Sequence, residues 1–121
     1  MSLKDKLEHK LFILEKKIIE TYQGISYLYD LFKKLKLSTN NEDAKQVFIR
    51  NEHRLGDLSK LIKSYENELK IYFRHKEMIL LKPLSVKIAF KLLEDLYDRV
   101  SNLIAEIQSM AIYWEYSEYN K

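Results

Sequence analysis

Histidine is the residue type in this sequence best suited to acid–base or metal chemistry, and it occurs three times. Catalytic zinc on a helix is typically held by two histidines four residues apart with a glutamate between them, and di-iron bundles use paired Glu-x-x-His motifs. His9, His53 and His75 match neither pattern, because each lacks a glutamate three residues earlier and all three lie far apart. We therefore expect them to be solvated or helix-capping side chains.

Other motifs that carry chemistry are missing from the sequence as well. A phosphate-binding loop needs several glycines so that the backbone can approach the anion, and Gly24 and Gly56 are isolated within helical patterns. The absence of cysteine excludes disulfides, thiolate metal sites and a cysteine nucleophile. A serine nucleophile needs a sharp turn and a partnered histidine, which no segment supplies. We therefore expect no enzymatic activity and no cofactor.

Glu94 and Asp98 form the most suggestive local pair, because residues four apart share one face of a helix. The surrounding string, residues 93–106, resembles the Glu-x-x-x-Asp helix of the PhoU-like phosphate-signalling family, whose three-helix bundles hold metal clusters through such carboxylates. The resemblance implies a metal-binding regulator with Glu94 and Asp98 as ligands. It covers one helix, and residues 95–97 are Asp-Leu-Tyr where the family has an Arg-x-Gly stretch. A solvated acidic face is the alternative interpretation of the pair.

The composition determines which elements must position these residues. The 121 residues are about one domain in size, and 46% of them are apolar, enough to form a core. Only two glycines and one proline are present, whereas a multi-stranded sheet needs turn-forming residues about every 8–12 positions. Residues 1–121 are therefore expected to form a single all-α domain.

Apolar residues recur at alternating intervals of three and four in three arrays, within residues 7–35, 44–79 and 86–117. The arrays predict long helices at about 3–36, 41–81 and 84–118, with Pro83 opening the third. Gly56 lies beside the second stripe, and a kink or break there is the main alternative.

Short turns between three helices of this length favour an up-down-up antiparallel bundle about 50 Å long. It is coiled-coil-like in its heptads and similar in outline to a spectrin-like repeat, a likeness of architecture that implies no activity. The apolar faces are wider than a two-stranded seam needs, so we also expect the chain to dimerise.

One end of this bundle should be basic, because the topology brings together the start of helix 1, the end of helix 2 and the start of helix 3. We define the basic pole as the seven cations Lys4, Lys6, Lys10, Arg74, Lys76, Lys82 and Lys87. A positive field of this kind attracts phosphates or acidic protein surfaces. Solubility alone is the simpler explanation of surface lysines, since no arginine-rich recognition helix accompanies them.

The opposite end should be aromatic. We define the aromatic pole as Tyr113, Tyr116 and Tyr119, near the end of the sequence. Exposed tyrosine favours protein contacts, because it combines a large apolar area with a polar tip at small entropic cost. We expect this pole to bind a protein partner or a second copy of the chain.

Asn51 is a polar member of the second apolar stripe and needs a hydrogen-bonding partner if it is buried. If the second turn is at residues 82–83, residues of helices 2 and 3 face each other when their numbers sum to about 165. Asn51 would then lie opposite Trp114, whose indole N–H can donate to the amide oxygen. An alternative is that Asn51 turns toward water.

These observations favour a non-enzymatic interaction or assembly module that presents surfaces to a protein partner or to its own copy. One alternative is an accessory nucleic-acid-binding subunit that uses the basic pole, and another is the metal-binding regulator. The charged amino-terminal residues and the absence of a long apolar run predict a cytoplasmic protein without a membrane segment.

Overall fold

The computed structural model describes residues 2–117, of which 92% are α-helical, with no β-strand in that range. The helices are α1 (Leu3–Ser38), α2 (Glu42–Arg74), α3 (Lys76–Leu80) and α4 (Pro83–Glu115). Three of them are long and pack against one another, which confirms the predicted all-α bundle. The third long helix ends at Glu115, about three residues earlier than predicted.

Local signals in the sequence explain where the long helices begin. The hydroxyl of Ser2 accepts from the Asp5 amide at 3.1 Å, and the Asp5 carboxylate accepts from the Ser2 amide, which forms a capping box. Asn41 caps α2 by accepting from two amides of its first turn at 2.9 and 3.2 Å. Pro83 is the first residue of α4, and Lys82 before it is extended, as a residue preceding proline should be.

The alternative of a break in helix 2 near Gly56 is wrong. The helix continues through Gly56 and is interrupted at His75, whose φ of −107° and ψ of 15° depart from helical geometry. His75 still donates its amide to the Ile71 carbonyl, and its own carbonyl accepts from Ile79, both at 3.0 Å. The predicted helix at 41–81 is therefore a long helix, α2, followed after one residue by the short helix α3.

The core consists of the stripes that the sequence predicts. Leu7, Leu28, Phe48 and other stripe residues are fully buried, and they come from all three long helices. Thr21, the polar member of the first stripe, is also buried, and its hydroxyl donates to the Lys17 carbonyl at 2.7 Å. Its hydrogen-bonding need is therefore met within α1.

Ion pairs between α1 and its neighbour in sequence establish that the two helices are antiparallel. Lys36, near the end of α1, pairs with Glu52 near the start of α2. At the other end of the bundle, Lys76 of α3 lies 3.2 Å from Glu8 of α1. The first two elements of the up-down-up topology are thus confirmed.

Helices α1 and α4 are parallel and approach each other closely. Lys10 lies 4.0 Å from Glu94 near the start of both helices. Further along, a methyl group at the Cβ position of Gly24 would be 2.8 Å from Cγ2 of Ile107. Gly24 therefore allows an approach that a larger residue would obstruct.

Helices α2 and α4 are less close to each other than either is to α1, and long charged side chains bridge the gap. Arg54 donates to Glu106 at 2.7 and 2.9 Å, and Arg99 donates to Glu68 at 2.9 and 3.0 Å. The hydrogen bonds to Glu68 raise the pKa of the Arg99 guanidinium above its ordinary value. Bidentate pairs of this kind fix the relative position of the two helices.

The predicted register of these two helices is confirmed, but the hydrogen bond predicted from it is wrong. Phe48 packs edge-on against Trp114 with ring centroids 5.4 Å apart, so Trp114 lies within one turn of Asn51 along the bundle. The Asn51 amide instead donates to the Val47 carbonyl of its own helix at 2.8 Å. A bond within the helix satisfies Asn51 without a partner from α4.

Candidate interaction surfaces

The structure places the start of α1, the short helix α3 and the start of α4 at one end of the bundle. Two members of the basic pole there are used in packing. Lys76 pairs with Glu8, and Lys10 lies both near Glu94 and 5.6 Å from the centre of the Phe90 ring. These two cations hold the helices together, so they contribute less to binding a partner than the sequence suggested.

The other members of the basic pole are exposed on the same end. None of Lys4, Lys6, Arg74, Lys82 and Lys87 has an acidic side chain within 4.0 Å among residues 2–117. Their charges are therefore compensated mainly by solvent and salt, and they remain available to an anionic partner.

An aliphatic surface at this end was missed by the sequence analysis. We define the aliphatic strip as Leu81, Leu84, Ile88 and Leu92, whose exposed fractions fall from 78% at Leu81 to 48% at Leu92. Leu84, Ile88 and Leu92 are spaced four apart along one outer face at the start of α4, and Leu81 precedes them at the end of α3. The signal in the sequence was a second set of apolar residues at helical spacing within residues 84–92, beside the set that forms the core.

Two residues of the aromatic pole lie at the opposite end of the bundle. Tyr113 and Tyr116 are 67% and 82% exposed, whereas Trp114 between them is buried against Phe32 and Phe48. Tyr119 lies outside the described residues. The end of α4 therefore alternates between a core anchor and outward-facing tyrosines.

Helix α1 supports this end through a side-chain hydrogen bond. The hydroxyl of Tyr27 donates to the carboxylate of Glu115, which raises the pKa of Tyr27 above its ordinary value. Exposed Ile112 and Leu37 add apolar area at the same end of the bundle. The aromatic pole is thus joined to α1 and has apolar neighbours.

The carboxylates of Glu94 and Asp98 line a surface groove of about 320 Å³ between α1 and α4. Lys10 lies in the same groove, 4.0 Å from Glu94, and Tyr97 forms part of its wall. Within residues 2–117, no three His, Cys, Asp or Glu side chains are grouped so that they could hold a metal ion. The Lys10 ammonium beside Glu94 favours an ion pair over a bound cation at this carboxylate.

The histidines are exposed, as predicted. His9 and His53 lie on the outer faces of α1 and α2, and His75 links α2 to α3. They do not converge with the carboxylates of the groove in the part of the chain that the structure describes.

Within the described residues, no helix is both long enough and apolar enough to cross a bilayer. Comparison of the chain with protein-family models, with curated proteins and with solved structures found no match. The exposed surfaces of the bundle are therefore the observations on which a functional proposal rests.

Proposed function

We propose that this protein is a non-enzymatic interaction and assembly module, which presents surfaces to a protein partner or to a second copy of the chain. The observation that carries the proposal is the outward orientation of Tyr113 and Tyr116 beside the buried Trp114. Because the buried indole anchors this end of α4, the neighbouring tyrosines are presented on a rigid support. Such preorganised aromatic residues bind at a small cost in conformational entropy.

We assign the aromatic pole to a second copy of the chain. A contact with two-fold symmetry would bring two identical tyrosine surfaces together, and tyrosine rings can pack on one another while their hydroxyls stay solvated. The aromatic pole lies far from the basic pole. In such a dimer the lysines of the two copies are therefore far apart, and the repulsion between them is largely screened at physiological salt.

Light scattering over a range of protein concentrations tests this assignment. The wild-type protein should approach twice the chain mass of 14.6 kDa, and the double variant Y113S/Y116S should remain monomeric. The matched control is Y97S, since Tyr97 is a partly exposed tyrosine on the same helix. A wild-type protein that is strictly monomeric at the highest concentration would contradict self-association.

A second candidate function is binding of a polyanion at the basic pole, which the unpaired lysines support. If nucleic acid binds there, affinity should fall steeply with salt, because phosphate neutralisation releases counterions. Reversing Lys4, Lys6, Lys82 and Lys87 together to glutamate should abolish that binding while circular dichroism stays helical. Retained affinity in this variant would dismiss the pole as a polyanion site.

A further inference from the structure

The start of α4 combines exposed aliphatic side chains with lysines that have no acidic neighbour. The aliphatic strip exposes four large side chains in a row, and Lys82, Lys87 and Lys91 are interleaved with them. Residues 78–93 contain no aspartate or glutamate. The surface is therefore an apolar ridge with a cationic border.

The lysines on this border are not neutralised by the rest of the described chain. No acidic side chain of residues 2–117 lies within 4.0 Å of Lys82, Lys87 or Lys91. Exposed aliphatic side chains and unpaired cations both favour a partner that supplies apolar contacts and negative charge together.

We infer that the aliphatic strip is a docking site for an acidic amphipathic helix of a partner protein. Leu84 and Leu92 are about 12 Å apart along α4, given a rise of about 1.5 Å per residue. Two to three turns of a helix therefore suffice to cover the strip. The four-residue spacing of Leu84, Ile88 and Leu92 matches the apolar stripe of such a helix, and flanking acids would face the lysines.

Other occupants fit the surface less well. A second copy would bring the same lysines against each other, which charge repulsion opposes. Nucleic acid would use the lysines, but its phosphates give no apolar contact to Leu84 or Ile88. Membrane-surface helices typically carry aromatic residues at the interface, whereas the strip is entirely aliphatic.

The aliphatic strip and the aromatic pole are different surfaces. Docking at the strip and self-association at the pole can therefore fail independently of each other. Leu84 and Tyr113 are separated by roughly 44 Å along α4 at the helical rise. Variant Y113S/Y116S should therefore bind the probe described below as tightly as the wild-type protein does. This result separates docking at the strip from self-association.

The test uses the full chain labelled with ¹⁵N and a synthetic 21-residue helix that has leucines at three-four spacing and glutamates on both flanks. We expect amide shifts to concentrate within residues 78–95 and binding to weaken with salt. Variants L84S/I88S and K82E/K87E/K91E should each bind at least about tenfold more weakly. Because these side chains are exposed, both variants should keep the wild-type circular dichroism spectrum.

Matched controls make the result specific. Variant F12S/I19S removes apolar side chains of similar exposure from α1 and should bind the probe like the wild-type protein. A peptide of the same composition with its leucines dispersed around the helix should bind at least about tenfold more weakly than the probe. Equal binding of the dispersed peptide, or shifts concentrated elsewhere, would overturn the inference.

Two further probes identify the competing occupants. Vesicles of phosphatidylcholine and phosphatidylserine, or a 20-base-pair DNA duplex, should bind no more tightly than the helical probe and should be insensitive to L84S/I88S. Vesicle binding that depends on Leu84 and Ile88, in the absence of peptide binding, would assign the strip to a membrane surface and overturn the proposal. Failure of all probes to bind would overturn it as well.

Discussion

Replacing Gly24 by alanine should destabilise the bundle relative to the same replacement at Gly56. In the sequence the two glycines are equivalent, since each interrupts a helical pattern. In the structure a Cβ at Gly24 would be 2.8 Å from Cγ2 of Ile107, whereas a Cβ at Gly56 would be 3.7 Å from the Tyr29 hydroxyl. The first distance requires a rearrangement and the second is an ordinary contact.

The magnitudes follow from two opposing terms. Alanine is about 0.8–1 kcal/mol more favourable than glycine in a helix interior. Overpacking a filled site typically costs about 1–3 kcal/mol, and this cost applies at Gly24 because Cγ2 of Ile107 is attached to the stiff Cβ of a branched residue. G56A should therefore gain up to about 1 kcal/mol, and G24A should be less stable than G56A by about 1–3 kcal/mol.

Urea denaturation followed by circular dichroism measures the difference, and melting temperatures should differ by roughly 4 °C per kcal/mol for a chain of this size. A double-mutant cycle identifies the contact. The variant I107L removes Cγ2 and should cost less than about 1.5 kcal/mol alone, but it should cost less still, or stabilise, in the G24A background. If G24A stabilises the protein as much as G56A does, the close approach of α1 and α4 is refuted.

Three other perturbations have defined outcomes. N41A removes the cap of α2 and should lower the free energy of unfolding by about 1 kcal/mol in thermal melts. T39A removes only a hydrogen bond to the Asn41 amide, so its loss of stability should be smaller. F48A empties a fully buried site and should lower the free energy of unfolding by about 3–5 kcal/mol in urea titrations. A loss below about 1 kcal/mol would contradict the burial of Phe48 in the core. The hydrogen bond from Lys63 lowers the pKa of Glu66 below its ordinary value of 4.5, so this carboxylate stabilises the fold above that pH and loses its effect as the pH falls. E66Q should accordingly be less stable than the wild-type protein at pH 7, and the difference should shrink as the pH falls below 4.5; a difference that stays the same at acidic pH would argue against this role.

The basic pole and the aromatic pole could be assigned to opposite ends of the bundle from the sequence, because their positions follow from the lengths of the helices and the up-down-up topology. Tyr113 and Tyr116 are exposed at one end as expected, and the unpaired cations of the basic pole are at the other. The sequence could not reveal that Lys10 and Lys76 are used in packing. A lysine's long side chain reaches several alternative partners, so its contacts depend on the exact rotation and separation of neighbouring helices.

The sequence by itself determined the helical class, the three long stripes and the register of α2 against α4, because hydrophobic periodicity and turn chemistry act locally along the chain. Only the tertiary structure decided where helix 2 breaks and which glycine is required. The break at His75 has neither glycine nor proline to mark it, and Gly24 matters because α4 passes beside it. The aliphatic strip likewise became distinguishable from the core only after the packing of α4 against α1 and α2 showed which of its apolar faces remains exposed.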